Sequence, residues 1–109
     1  MKRLFIETSI FSKALKEFSR TDKDLLLRIQ SLILADPEAG DLVPGAGGVR
    51  KIRVPGMGQG KSGSYRTIYF DLSQKGEVYL IAIYGKSKKA NLTAGEKKAI
   101  TQLVKSLKK

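Results

Sequence analysis

The sequence contains no cysteine, no histidine and no tryptophan. Without cysteine there is no disulfide, thiolate zinc site or iron–sulfur cluster, which suits a protein of the reducing cytosol. Without histidine the chain lacks the side chain that most often serves as general base and metal ligand near neutral pH. Any proton acceptor in a catalytic step must therefore be a lysine, a tyrosinate or a group outside the chain.

Long hydrophobic runs are missing as well. No apolar stretch approaches the roughly 18–20 residues that cross a bilayer. Glu7 interrupts the N-terminal apolar segment far short of a signal-peptide core. A chain of 109 residues has the size of one domain. We therefore expect a single domain over residues 1–109 that is located in the cytoplasm.

Acidic residues are few relative to basic ones. The 21 lysines and arginines outnumber the 10 aspartates and glutamates, which gives a net charge of +11. Residues 41–90 carry nine basic and three acidic groups, and between Arg50 and Arg66 there is no acid at all. Such a run repels itself unless an anion binds, so it favours a nucleic acid as partner. An acidic membrane lipid or an acidic protein is the alternative.

Hydrophobic periodicity predicts an α+β fold with the element order β-α-α-β-β-β-α. The second helix ends at Asp36-Pro37, because the residue before a proline is disfavoured in the α region. The helix starts are, in order, Thr8 or Ser9, the capping-box-like Thr21–Asp24, and Asn91 or Thr93 with the box Thr93–Glu96. The predicted strands are 2–7, 49–54, 64–72 and 77–84, with a connector at 41–48, a glycine-rich loop at 55–63 and a hairpin turn at 73–76.

Residues 55–62 end in Gly-Lys-Ser like a phosphate-binding P-loop, but the resemblance fails in two ways. Pro55 stands where the motif requires glycine, and strand sequence follows instead of the helix whose N-terminus receives the phosphates. We interpret the segment as a hairpin loop. Its glycines either serve the loop alone or allow the backbone to approach a phosphate chain, with Lys61 adding charge.

The strand at 49–54 combines an apolar and a cationic face. Period-2 alternation places Ile52 and Val54 on one face and directs Lys51 and Arg53 to the other. The cationic face then meets either solvent or a phosphate. The next strand adds Arg66, which shares its face with apolar residues, an unusual place for an arginine.

Arg66 admits two interpretations. One is a structural ion pair with Asp71 or Asp41. The other is a guanidinium held in a cleft, where it binds a phosphate through two parallel hydrogen bonds.

Tyr84 ends the last strand and is followed by lysines. It is either part of the core or a ring that stacks on a base. Lys86 either carries a proton or neutralises charge, whereas Lys88 and Lys89 attract the phosphate backbone.

Three segments in this order and spacing, residues 47–54, 64–69 and 81–86, resemble the HigB/RelE-type toxins of bacterial type II toxin–antitoxin modules, particularly the HigB-like branch. The resemblance implies a RelE-like, microbial-ribonuclease-type fold with a small antiparallel-dominated sheet packed on helices. It also implies an endoribonuclease that cleaves mRNA in the ribosomal decoding site and is neutralised by a cognate antitoxin. The sequence departs from the RelE pattern at Ser87 and Thr93.

By the same resemblance, Arg66 matches the arginine that stabilises the reacting phosphate, Lys51 and Arg53 match paired basic positions, and Lys86 matches the lysine after the final strand. The 2′-hydroxyl of the RNA can attack the adjacent phosphorus with no metal and no cofactor. Arg66 and Arg53 suit the developing charge, which such donors typically stabilise by about 10²–10³ each in rate. Lys51 is the first choice as proton acceptor, with a tyrosinate or an RNA or ribosomal group as alternatives. Lys86 serves the leaving oxygen, and Tyr84 stacks on a base.

Further RNA contacts are expected from a second set of residues, and two other functions remain open. A noncatalytic nucleic-acid-binding module accounts for the charge equally well. An inactive paralogue that only binds its antitoxin accounts for the resemblance. The expected RNA-binding residues are Arg50, Lys61, Tyr65, Lys88 and Lys89.

Overall fold

The computed structural model describes residues 2–56, 64–85 and 91–109. Within these ranges the strands are Leu4–Glu7 (β1), Asp41–Leu42 (β2), Arg50–Pro55 (β3), Ser64–Leu72 (β4) and Glu77–Gly85 (β5). The helices are Ser9–Phe18 (α1), Leu25–Ala35 (α2) and Ala94–Leu107 (α3), and a turn of 3₁₀ helix at Ser73–Lys75 joins β4 to β5.

The predicted α+β class is confirmed, and the predicted element order is matched except for one added strand. β2 lies in the segment 41–48, which the sequence predicts as a connector. It pairs antiparallel with β3, with Asp41 opposite Lys51 and Leu42 opposite Arg50. A strand of only two residues is too short to show an alternating pattern in the sequence, which explains why the prediction missed β2.

The strands form one sheet in the order β1-β5-β4-β3-β2, so β4 lies at its centre. β1 pairs parallel with β5, and the other neighbouring strands are antiparallel. This arrangement agrees with the antiparallel-dominated sheet that the family resemblance implies. Because β3, β4 and β5 are adjacent, side chains at matching register positions of these strands stand next to one another.

Hydrogen bonds confirm two of the predicted helix starts. The Thr8 hydroxyl accepts from the Phe11 amide at 3.1 Å and donates to the Ile81 carbonyl at 2.8 Å, so the cap also ties α1 to β5. At α3 the Thr93 hydroxyl accepts from the Glu96 amide at 3.1 Å, and the Glu96 carboxylate accepts from the Thr93 amide at 2.8 Å. These reciprocal bonds form the predicted capping box.

The capping box predicted at 21–24 is wrong. Asp24 occupies the N-cap position of α2, but its side chain makes no capping hydrogen bond. The neighbouring Asp22 is buried and forms an ion pair with Arg28, whose Nε also donates to the Pro55 carbonyl at 2.9 Å. Arg28 therefore joins α2 to the end of β3, and the acidic residue before the helix neutralises it.

Each face of the sheet carries its own apolar cluster. The helices α1 and α2 cover one face, where the buried residues are Phe11, Leu25, Ile29, Ile33, Ile52, Val54, Tyr69, Val78, Leu80 and Ile83. The helix α3 packs on the other face, where they are Ala46, Val49, Ile68, Phe70, Leu72, Ile81, Ala82, Ile100 and Val104. Among the described residues no helix combines the length and apolar character needed to cross a bilayer.

The chain that leads into β2 is fixed by a buried phenol. The Tyr69 hydroxyl donates to the Pro37 carbonyl at 2.7 Å and accepts from the Gly40 amide at 3.1 Å. A Cβ at Gly40 would lie 3.0 Å from both the Lys51 carbonyl oxygen and Cε1 of Tyr69. Glycine at this position therefore allows the close approach of the connector to β3.

Candidate functional site

The two faces of β3 differ in chemistry as the sequence predicts. Ile52 and Val54 are buried in the cluster under α1 and α2. Lys51 and Arg53 occupy the alternate positions and point to the face that carries α3, where Arg53 is exposed and Lys51 is half-buried. The strand thus supplies core packing on one side and positive charge on the other.

A row of three side chains crosses the adjacent strands β3, β4 and β5. Arg66 lies directly opposite Arg53 on one side and Tyr84 on the other in the sheet register. Directly opposite residues of antiparallel strands project to the same face, with Cα atoms about 4.5–5.5 Å apart. We call Arg53, Arg66 and Tyr84 the cationic row. Lys51 lies on the same face, two residues before Arg53, or roughly 6–7 Å along the strand.

Neither arginine of the cationic row is neutralised by a carboxylate of the described residues. Arg66 is half-buried, and its Nη1 donates to the Ser64 hydroxyl at 3.3 Å. Asp71 is bound instead by Arg3, with Nε to Oδ1 at 2.8 Å and Nη2 to Oδ2 at 3.3 Å. The structural ion pair considered for Arg66 is therefore not formed in the described part of the chain, and the guanidinium is available to an anion.

Tyr84 lies at the edge of the apolar cluster under α3 and is half-buried. Burial, with a smaller contribution from the negative charge of Glu96, raises the pKa of Tyr84 above its usual value. The phenol is therefore neutral at neutral pH and can donate a hydrogen bond. This argues against Tyr84 as the tyrosinate base that the sequence leaves as an alternative.

Two residues expected at the RNA surface lie on the opposite face of the sheet. Arg50 donates from Nη1 to the Gly40 carbonyl at 2.8 Å and to the Glu38 carbonyl at 3.3 Å. Tyr65 packs against Phe18, with 5.1 Å between ring centroids, in the cluster under α1. Period-2 alternation turns both away from the cationic row and from the Lys51 side chain.

Four predicted site residues lie outside the described residues: Lys61, Lys86, Lys88 and Lys89. Most of the glycine-rich loop lies outside them too. The strand β4 begins at Ser64, immediately after that loop. The absence of a helix there agrees with the rejection of the P-loop from the sequence.

Sequence reasoning missed a recess that continues the cationic face beyond Lys51. It is lined in part by Asp41, Asn91 and Lys97, which come from β2 and from the start of α3. Asp41 is far from Asn91 and Lys97 in the chain, and only the β2–β3 pairing together with the packing of α3 brings them together. The one local signal is the capping box that fixes where α3 begins.

The chain matches the family model described as the RelE toxin of the RelE/RelB toxin–antitoxin system over residues 2–109. The match includes every element of the sheet and all the described residues of the cationic face.

Proposed function

Since the chain belongs to the RelE toxin family and is thus a toxin of a toxin–antitoxin system, we propose that it is an endoribonuclease that inhibits translation. Its substrate is mRNA positioned in the decoding site of the small ribosomal subunit. The observation that carries this proposal is the cationic row, in which two guanidinium groups without carboxylate partners among the described residues lie next to a neutral phenol.

The geometry suits one phosphodiester. Arginine presents a planar set of donors that matches two phosphate oxygens. Arg66 is fixed by the central strand, so it binds the non-bridging oxygens as negative charge grows on them. Arg53, exposed on the next strand, adds a second cation to the same group. Donors fixed before the reaction stabilise the charge without reorganisation during it.

The reaction uses the nucleophile of the RNA itself. The 2′-oxygen attacks the adjacent phosphorus while its proton passes to the Lys51 amine. The bond from phosphorus to the 5′-oxygen breaks, and Lys86 donates a proton to that oxygen. The products are a 2′,3′-cyclic phosphate and a 5′-hydroxyl end. Tyr84 stacks on a base next to the scissile bond and holds the 2′-oxygen in line.

The ribosome has a defined role in this mechanism. The chain has no histidine, so proton transfer near neutral pH is less efficient than in enzymes that use one. Orientation of the message in the decoding site compensates by supplying the attacking geometry. The proposed place of action is accordingly the cytoplasm, and placement in the HigB-like branch stays a prediction.

Family membership implies a cognate RelB-type antitoxin as partner. The net charge of +11 favours an acidic segment of that protein. The antitoxin would inhibit cleavage if this acidic segment covers the cationic row, since the segment would then occupy the position of the RNA phosphate.

The decisive experiment maps the 5′ ends of transcripts after induction in a bacterium of the wild type, Arg66→Ala and Arg20→Ala. Arg20 is 70% exposed on the α1–α2 hairpin and serves as the matched control. We expect new 5′-hydroxyl ends and growth arrest with the wild type and Arg20→Ala, and neither with a folded Arg66→Ala protein.

Retained cleavage by Arg66→Ala would refute the proposed role of the cationic row. Absence of cut products from the wild type would favour a binding module. Such a module would show graded loss of affinity with each cation removed and a salt slope near −0.7 per phosphate contact on single strands. Antitoxin binding without growth arrest would indicate an inactive paralogue.

A further inference from the structure

A recess of about 380 Å³ opens beside Lys51, between the β2–β3 edge of the sheet and the start of α3. Its volume lies within the range of small-ligand sites, and apolar walls with a few polar groups are typical of such sites. The apolar lining residues are Leu42, Val43, Pro44 and Leu92, and the polar ones are Asp41, Lys51, Asn91 and Lys97.

The recess adjoins the cationic row on the same face of the sheet. Asp41 lies directly opposite Lys51 in the register, so the two side chains share a face. Lys51 shares that face with Arg53, two residues further along β3. A strand of RNA whose phosphate lies on the cationic row therefore reaches the recess with a neighbouring nucleotide.

Asp41 is an unexpected residue at the edge of a phosphate-binding face. No described residue donates a hydrogen bond to its carboxylate or forms an ion pair with it. A carboxylate repels phosphate and so weakens a site that only binds the RNA backbone. It accepts hydrogen bonds from N–H groups, however, and such groups occur on the edges of unpaired bases.

We propose that the recess binds one unpaired RNA base next to the scissile phosphate and that Asp41 selects this base by its exocyclic amino group. The proposal rests on the proposed function. The aliphatic walls contact the faces of the base, the Asp41 carboxylate accepts from the amino group, and Lys97 contacts the phosphate of the same nucleotide. Adenine, cytosine and guanine carry such an amino group. Uracil has none, and the two carbonyl oxygens that flank its N3–H repel the carboxylate.

The test measures cleavage of ribosome-bound messages that differ by a single base at each position around the cut. For the wild type we expect one position at which uracil lowers the cleavage rate about tenfold relative to the other bases, the effect of one hydrogen bond to a charged group. Asp41→Asn presents an amide N–H as well as a carbonyl, so its discrimination should fall below about twofold. Glu17→Gln removes one negative charge from α1 and should keep the wild-type preference.

A second pair of variants separates base selection from phosphate binding. Lys97→Gln should lower the rate severalfold and equally for all four bases, because the phosphate is common to them. Lys98→Gln is the matched control, since Lys98 is the next residue of α3, is exposed and does not line the recess. It should behave as the wild type.

The failures of the two proposals are distinguishable. An unchanged base preference in Asp41→Asn, with cleavage abolished in Arg66→Ala, overturns the base site and leaves the proposed function intact. Cleavage that survives Arg66→Ala overturns both. If Asp41→Asn keeps its base preference but escapes neutralisation by the co-expressed antitoxin, the recess binds protein and the proposal is wrong.

Discussion

On the face covered by α1 and α2, Arg28 is paired with the buried carboxylate of Asp22 and also donates to the Pro55 carbonyl. On the face that carries α3, Arg66 lies opposite Arg53 and forms no ion pair with any described residue. The same residue type thus serves two purposes on the two sides of one sheet. Arg28 joins helix and strand, whereas Arg66 retains its donors for a ligand.

This difference follows from the cost of burying charge. The buried Asp22 carboxylate is tolerated because the half-buried Arg28 guanidinium neutralises it. A half-buried cation at the open part of the other face stays hydrated until a phosphate arrives, and binding then replaces water. We therefore expect substitutions on the α1–α2 face to change stability and substitutions on the cationic row to change cleavage.

The largest effect is expected from Arg28→Ala. It leaves the Asp22 carboxylate, whose side chain is 3% exposed, without its cationic partner. The free energy of unfolding should fall by about 3 kcal/mol, measured by urea denaturation. The double variant Asp22→Asn with Arg28→Met should recover most of the loss, because no buried charge remains. If Arg28→Ala lowers the free energy of unfolding by less than about 0.5 kcal/mol, the Asp22–Arg28 pair contributes no more than a surface ion pair. The proposed difference between a structural Arg28 and a ligand-binding Arg66 would then be wrong.

The next effect is expected from Arg66→Lys, which keeps the charge but removes the planar pair of donors. Cleavage should fall about 100-fold, the range seen when one fixed donor to a developing charge is lost. The unfolding midpoint should stay at the wild-type value, because Arg66 forms no ion pair among the described residues. Full activity would mean that positive charge alone suffices at this position.

A smaller effect on the α1–α2 side is expected from Tyr69→Phe. The variant loses the hydrogen bonds to Pro37 and Gly40, which should cost roughly 1–2 kcal/mol of stability. Burial raises the pKa of Tyr69 above its ordinary value of 10.0, so the folded chain holds the phenol proton more tightly than the unfolded chain.

The sign of the pH dependence follows from that difference. Above about pH 10 the unfolded chain releases the proton first, so stability should fall as the pH rises. Urea denaturation at about pH 8 and about pH 11 should show a shallower decline in Tyr69→Phe. Part of the decline should remain, because Tyr65, Tyr79 and Tyr84 also have raised pKa values. An equal decline in both proteins would contradict the assignment to Tyr69.

The smallest effect is expected from Tyr84→Phe, which keeps the ring and removes the hydroxyl. If Tyr84 acts by stacking, cleavage should fall by less than about tenfold, the contribution of one hydrogen bond. Tyr84→Ala should lose more, since base–aromatic stacking is worth roughly 1–3 kcal/mol. Equal losses in the two variants would assign proton transfer to the hydroxyl and revise the role of Tyr84.

Local patterns predicted most of the fold. The alternation in β3 placed Ile52 in the core and Arg53 on the opposite face, and the alternation in β4 placed Arg66 on a face with apolar residues. These predictions were possible because side chains at successive positions of a strand point to opposite faces. The Thr93–Glu96 box was predicted for a similar reason, since its bonds join residues three apart. At 21–24 the same reasoning failed, because the Thr21 hydroxyl donates to the Phe18 carbonyl and the Asp24 side chain makes no capping hydrogen bond.

Features that depend on distant pairing were beyond the sequence. The row formed by Arg53, Arg66 and Tyr84 requires the register of three strands, and the recess requires both β2 and the position of α3. Arg50 was expected at the RNA surface because it belongs to a basic run. Its position in the strand alternation instead points the Arg50 side chain to the other face, where it donates to carbonyls of the connector before β2.

Gly40 gives the fold a vulnerable point that contains no functional group. A Cβ at Gly40 would lie 3.0 Å from both the Lys51 backbone and the Tyr69 ring. Even alanine would therefore push the connector away from β3 and β4. A genetic screen for variants that no longer arrest growth should therefore recover substitutions at Gly40 as well as at Arg53 and Arg66. A substitution at Gly40 would act on the backbone alone. It displaces the strand that carries Lys51 but removes none of the side chains proposed to act in cleavage.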